Sequence, residues 1–147
     1  MKVVVDTSVL FAATLRDARV RRVLLTLGVE WITPSHAREE LLEHLPEIAV
    51  GLRLAHAQAE ETVGWILRAV AEVAITPDDP EFAVAHALIA SRDPSDVPFL
   101  AAALKHEALG IWSLDKDFDA IPAVPRLTTA SVARLLELVG PDPGPED

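Results

Sequence analysis

Asp6 closes a run of three valines, and Asp115 stands two residues beyond the apolar segment 111–113. A carboxylate placed directly after a buried strand lies at that strand's carboxyl end, the edge where open α/β sheets hold their ligands. Both acids therefore belong to the same edge of one sheet and should converge. By themselves, acids at strand ends mark an α/β protein with a candidate cation site. Asp96 opens the helix that leads into the second of these strands, and whether it reaches the same edge depends on a crossover that the spacing does not fix. Glu40 is reached through helical geometry, at about 100° per residue. Ala37, Leu41, Leu45 and Ile48 fall in one narrow stripe with Leu42 at its margin, Glu43 points nearly opposite, and Glu40 lies on the stripe's other border. A border glutamate can face a cleft, whereas Glu39 points further toward solvent.

The chain contains no cysteine, so disulfides, zinc-thiolate sites, iron-sulfur clusters and thiol nucleophiles are excluded, and its chemistry must use oxygen or imidazole. The histidines His36, His44, His56, His86 and His106 show neither HExxH nor another ligand spacing, and read as surface or helix-packing residues. Ser8 and Ser113 can position a water or a metal ligand, but no His or Lys is placed to activate either as a nucleophile. Trp31 and Trp112 fall in expected strands and Trp65 in an apolar helix, so core packing is favoured over base stacking for all three. Each acid also has a structural alternative as a helix cap, a first-turn charge or a turn residue.

The elements that must position these residues alternate. Residues 2–5 read as a strand buried on both faces. Thr7 or Ser8 then caps a helix running to about residue 27, with Gly28 as its stop. A strand at 30–32 precedes a helix that Thr33 and Pro34 start and that ends near Pro46. A helical stretch covers about 54–74, a turn at 77–80 precedes a helix over 81–91, and Asp93-Pro94-Ser95-Asp96 forms a second turn. Phe99, Leu100, Ala103 and Leu104 mark a helix ended by Gly110. Residues 111–113 and 126–128 read as strands and 131–139 as the last helix. This alternation predicts a three-layer α/β/α fold around a central parallel sheet of about four or five strands, with right-handed crossovers.

At 147 residues and 50% hydrophobic content the chain fits one domain, expected over 1–139. The tail 140–147, with three prolines and three acids, is expected to be disordered. The most apolar stretch, 63–75, is interrupted by Arg68 and Glu72, so no membrane span is predicted. The N-terminus meets Asp6 too soon for a secretory signal, and a cytoplasmic location is expected. Thirteen basic against 23 acidic residues leave a net charge of −10, which repels a polyanion. The useful positive charge is local: Arg16, Arg19, Arg21 and Arg22 gather in one short stretch. Arg19, Arg21 and Arg22 are the candidate phosphate contacts, with a solvated helix face as the alternative.

Across most of its length the sequence resembles the PIN domain, and within it the stand-alone prokaryotic members that include VapC-type toxins. The matching pieces are Val3-Val4-Val5-Asp6-Thr7-Ser8-Val9-Leu10, Glu40-Leu41, Asp93-Pro94-Ser95-Asp96-Val97-Pro98-Phe99-Leu100, and Ile111-Trp112-Ser113-Leu114-Asp115-Lys116-Asp117-Phe118. Four pieces in the family's order and approximate spacing make the signal specific. The resemblance implies an acidic site at Asp6, Glu40, Asp96 and Asp115, with Asp117 as an accessory ligand and Ser113 where many members carry Thr. One departure is Leu114, where the family commonly has Gly; a bulkier residue there narrows the approach to Asp115.

Mg²⁺ and Mn²⁺ prefer hard oxygen ligands, so such a cluster can hold one or two ions and leave room for a phosphate. The resemblance therefore implies metal-dependent hydrolysis of an RNA phosphodiester to a 5′-phosphate and a 3′-hydroxyl. It also implies an antitoxin partner and a homodimer. The alternative is a PIN-fold module that binds RNA or protein without cutting; retention of all four acids argues against it. A haloacid-dehalogenase-type phosphatase would need an acid where Ser8 stands, and a receiver domain an acid adjacent to Asp6.

Overall fold

The computed structural model describes residues 1–139; the tail 140–147, expected to be disordered, lies outside the described residues. Five strands form one parallel sheet in the order β3-β2-β1-β4-β5. They are β1 (Lys2–Val5), β2 (Glu30–Pro34), β3 (Ala71–Val73), β4 (Ile111–Trp112) and β5 (Arg126–Leu127). The helices are α1 (Thr7–Thr14), α2 (Ala18–Leu24), α3 (His36–Glu43), α4 (Leu45–Leu52), α5 (His56–Leu67), α6 (Pro80–Ile89), α7 (Val97–Lys105) and α8 (Thr129–Val139). Together they make the expected three-layer α/β/α architecture.

The three valines of β1 are 0% exposed, which requires cover on both faces of the central strand. On one face α7 packs against β1, β2 and β4, with α6 outside it; on the other, α1 packs against α2, α3 and α5. Burying each such aliphatic side chain contributes roughly 1.5–3 kcal/mol, so the middle of the sheet is its best anchored part. β1 pairs with β2 on one side and β4 on the other, and chain order reverses between β1 and β4. The carboxyl ends of those two strands therefore open the crevice that this sheet type offers a ligand. No helix among the described residues is long and apolar enough to cross a membrane.

Several boundaries differ from expectation. The helix expected over residues 7–27 is two helices, because Arg16 takes a left-handed conformation at φ 69° and Asp17 caps the N-terminus of α2 with its side chain. Pro46 begins α4 instead of ending a helix; proline lacks the N–H that a first turn leaves unpaired anyway. Pro34 ends β2 and does not start a helix. Residues 71–73, expected to be helical, form β3 and pair with β2 from Ile32 to Pro34. Trp31 and Trp112 are buried and their ring centroids lie 5.3 Å apart. Trp65 departs from the expectation of core packing: it is 67% exposed, and Arg68 lies over its ring.

Candidate active site

Asp6 leaves β1 and stands at the N-cap position of α1 without a side-chain capping bond. Instead Oδ2 accepts from the Ser8 hydroxyl at 2.7 Å and from the Ser113 hydroxyl at 2.8 Å. Ser8 lies two residues along α1 and Ser113 directly after β4, so the pair ties together the two strand ends that flank the crevice. The same hydroxyls accept from the main chain of the loop after β4. Leu114 N donates to Ser8 Oγ at 3.0 Å and Asp115 N to Ser113 Oγ at 3.0 Å. Asp115 turns the chain by accepting from Asp117 N. The bland role of a turn residue is thus real for Asp115, and it lines the cleft as well.

Asp96 closes a short 3₁₀ turn, Pro94–Asp96, that Asp93 organises by accepting from Ser95 N and Ser95 Oγ. Although it occupies the N-cap position of α7, Asp96 makes no capping bond. It is 8% exposed and its Oδ2 has no hydrogen-bond partner. A buried carboxylate oxygen without a donor is costly in a folded protein. Burial raises its pKa to about 7, and the charges of Asp6, Asp93, Asp117 and Asp115 push the same way. The crossover that spacing left open thus brings Asp96 to the same edge as the other acids.

Glu40, on α3, forms the facing wall. Its Oε1 accepts from Thr7 Oγ1 at 3.2 Å and lies 3.4 Å from His36 Nε2. Burial raises its pKa, and the His36 ring opposes that rise. On α3, Ala37 and Leu41 are buried, Leu42 is at their exposed margin and Glu39 points to solvent, as helical geometry required; Leu45 and Ile48 of the expected stripe are also buried but belong to α4. Burial also raises the pKa of Asp6, against the hydroxyls of Ser8 and Ser113 and neighbouring amides.

Asp6, Glu40, Asp96 and Asp115 line one cleft of about 390 Å³. Asp117 lies outside its lining but forms, with Asp93 and Asp96, a group whose carboxylate oxygens come within 4.8 Å of one another. Sequence reasoning treated Asp93 as a turn residue; its spacing three residues before Asp96, across a Pro-Ser turn, was the available signal. His44, read as a surface or helix-packing residue, and Thr7, read as a cap, complete the cleft with Phe11, Glu47, Ser8 and Ser95. Leu114 is exposed and is not among the residues that line the cleft. Arg19, Arg21 and Arg22 are not in the lining either. Arg19 and Arg22 are exposed, while Arg21 donates to the carbonyls of Ala13 and Thr14 at the end of α1.

Solved structures share this architecture at low sequence identity. The chain superposes on Rickettsia felis VapBC2, solved bound to a DNA fragment from their promoter, with a TM-score of 0.69 and 12% identity, covering 87% of this chain and 98% of that one. For Mycobacterium tuberculosis VapC20, described as a sarcin-ricin loop cleaving toxin, the TM-score is 0.60 and the identity 21%, over 82% and 95% of the two chains. No curated protein matches the sequence. A family model described as the PIN domain matches residues 4–135. The chain belongs to the PIN-domain family.

Proposed function

We propose that the cleft is the active site of a metal-dependent endoribonuclease, with Asp6, Glu40, Asp96 and Asp115 as the acids that hold Mg²⁺ or Mn²⁺ and Asp117 and Asp93 assisting. The observation that carries this reading is the buried Asp96 Oδ2, unpaired amid the charges of Asp6, Asp93, Asp115 and Asp117. A site of that kind fits a divalent cation well: its donors are hard oxygens, several converge, and among the described residues no lysine or arginine lines the cleft to neutralise them. When bound, the cation would activate an attacking water and stabilise charge on the attacking and leaving oxygens.

The protein's own residues supply the rest. Ser8 and Ser113 both bond to Asp6 Oδ2 and fix the carboxylate between β1 and β4. Thr7 does the same for Glu40. With a pKa of about 7, metal-free Asp96 is only partly ionised at neutral pH, and a cation held beside it would favour the ionised form. In the hydrolysis a water oxygen bonds to phosphorus, the bond to the 3′ oxygen breaks, and that oxygen takes up a proton. Arg19 and Arg22, exposed on α2, are proposed as phosphate contacts outside the cleft; Arg21 is committed to α1.

Partners on this reading are an RNA substrate, an antitoxin protein and a second copy of the chain. The toxin part draws support from VapC20, described as a toxin, and from VapBC2. The non-cleaving alternative has no observation of its own, since all four acids are present and line one cleft. Purified protein should cut RNA with Mg²⁺ or Mn²⁺ and stop in excess chelator, and Asp6→Asn or Asp96→Asn should lose cleavage while still melting cooperatively. Cleavage that survives the chelator or either substitution would overturn the mechanism.

A further inference from the structure

Two helices leave the carboxylates side by side, and their residues advance in step. On α1, Phe11 stands one turn beyond Thr7. On the other wall, His44, which closes α3, stands one turn beyond Glu40. The first rung is the bond from Thr7 Oγ1 to Glu40 Oε1 at 3.2 Å. The second is an edge-to-face ring pair, Phe11 with His44, centroids 5.9 Å apart and planes at 74°. Both rungs line the same cleft as Asp6 and Asp96. A helical turn rises about 5.4 Å, on the scale of one nucleotide from its phosphate to its base.

The chemistry changes along that step. The end at Asp6 and Asp96 suits a cation and, through it, a phosphate. At the far end the rings stand beside Glu47, and among the described residues no lysine or arginine lines the cleft, so a second phosphate would be repelled there while a flat uncharged ring would not. Phe11 is anchored by partial burial against the core. His44 is 49% exposed in its side chain, and its Nδ1 lies 3.4 Å from Glu47 Oε1. In an edge-to-face pair one ring presents an edge and keeps its faces clear of its partner. Aromatic side chains lining an open cleft are what single-stranded RNA binds, because every base has a π-face to stack.

We propose that Phe11 and His44 form a nucleobase-stacking site, so that the cleft takes an unpaired nucleotide with its phosphate at the acids and a base on the rings. The phosphate end of this assignment rests on the nuclease reading above; the base end rests on the ring pair. A base inside a duplex has no free face to offer these rings.

The test uses the full chain and a short single-stranded RNA carrying 2-aminopurine, whose fluorescence is quenched on stacking. The wild type should quench it, and Phe11→Leu and His44→Ala should each weaken binding roughly fivefold or more. His44→Ala keeps the test decisive should Phe11→Leu fold poorly. In cleavage assays with Mn²⁺ the loss should fall on KM more than on kcat. An RNA with an abasic nucleotide at the cleaved step should show the same KM rise with the wild type and little further rise with the variants. Quenching without cleavage would leave the base site standing and sink the nuclease reading. Cleavage with no quenching and unchanged KM in both variants would overturn the base site alone.

Discussion

The Ser113 hydroxyl donates to Asp6 Oδ2 at 2.8 Å across 107 residues of sequence, joining the ends of β1 and β4 at the point where strand order reverses. Ser113 is 0% exposed and also accepts from Asp115 N, so one side chain fixes two of the four acids. Ser113→Ala leaves both partners short of a bond and should cost about 1–3 kcal/mol of stability. It should also raise the Asp6 pKa further and weaken Mn²⁺ binding, because a hydrogen bond that favours the ionised form is gone. Ser113→Thr keeps the hydroxyl and should recover most of both. Chemical denaturation and Mn²⁺ titration of the two variants check this; an alanine variant as stable as the wild type would break the link.

Asp96 gives the metal-free protein a pH dependence. Its folded pKa of about 7 lies above its ordinary value of 3.8. Between those values the folded chain holds a proton that the unfolded chain has released, so stability falls as pH rises across that window and levels off above it. The drop should be on the order of 1–2 kcal/mol once solvent screening is allowed for. In chelator, Tm should fall as pH rises from about 4 to about 7 and change little above that, and Asp96→Asn should flatten the slope. An equal slope in the variant would show that other groups carry the effect.

Arg21 and its neighbours should separate by role. Arg21→Ala removes bonds to two carbonyls at the end of α1 and should cost about 1–2 kcal/mol. Replacing Arg19 and Arg22, both exposed, should leave Tm nearly unchanged while lowering the salt slope of RNA binding by about one for each phosphate no longer neutralised. A salt slope untouched by the double replacement would make these two arginines a solvated face.

Gly110 stands just before β4, and a Cβ there would meet the Pro125 carbonyl oxygen at 2.7 Å and Leu127 at 2.8 Å. Main chain cannot swing aside as a flexible side-chain end can, so Gly110→Ala should push β5 from β4 and cost roughly 1–3 kcal/mol. Because β4 carries Ser113 into the site, Mn²⁺ affinity should fall with it. Thermal melting is the check, and a wild-type Tm would refute the close approach.

Much of this was legible in the sequence because it depended on local pattern. Val3, Val4 and Val5 before Asp6 mark a central strand and its end, and the border position of Glu40 follows from helical periodicity. β3 was not legible: Ala71–Val73 lie inside the apolar stretch 63–75 that continues from α5, so the run reads as one helix, and the pairing of β3 with β2 is decided in three dimensions. The break at Arg16 was hidden because a left-handed turn at a non-glycine residue has no compositional mark. Asp96 came from the family pattern, since spacing alone left its crossover open. His44 read only as a surface or helix-packing residue because its facing Phe11 is a relation between two helices that neither helix's periodicity contains.

The most direct measurement is a crystal soaked in Mn²⁺ and examined for anomalous signal. A peak is expected among Asp6, Glu40, Asp96 and Asp115, within ligand distance of Asp96, and it should vanish in Asp96→Asn crystals. A cleft that stays empty at saturating Mn²⁺, or an ion bound elsewhere with these carboxylates unengaged, would contradict the four-carboxylate metal site.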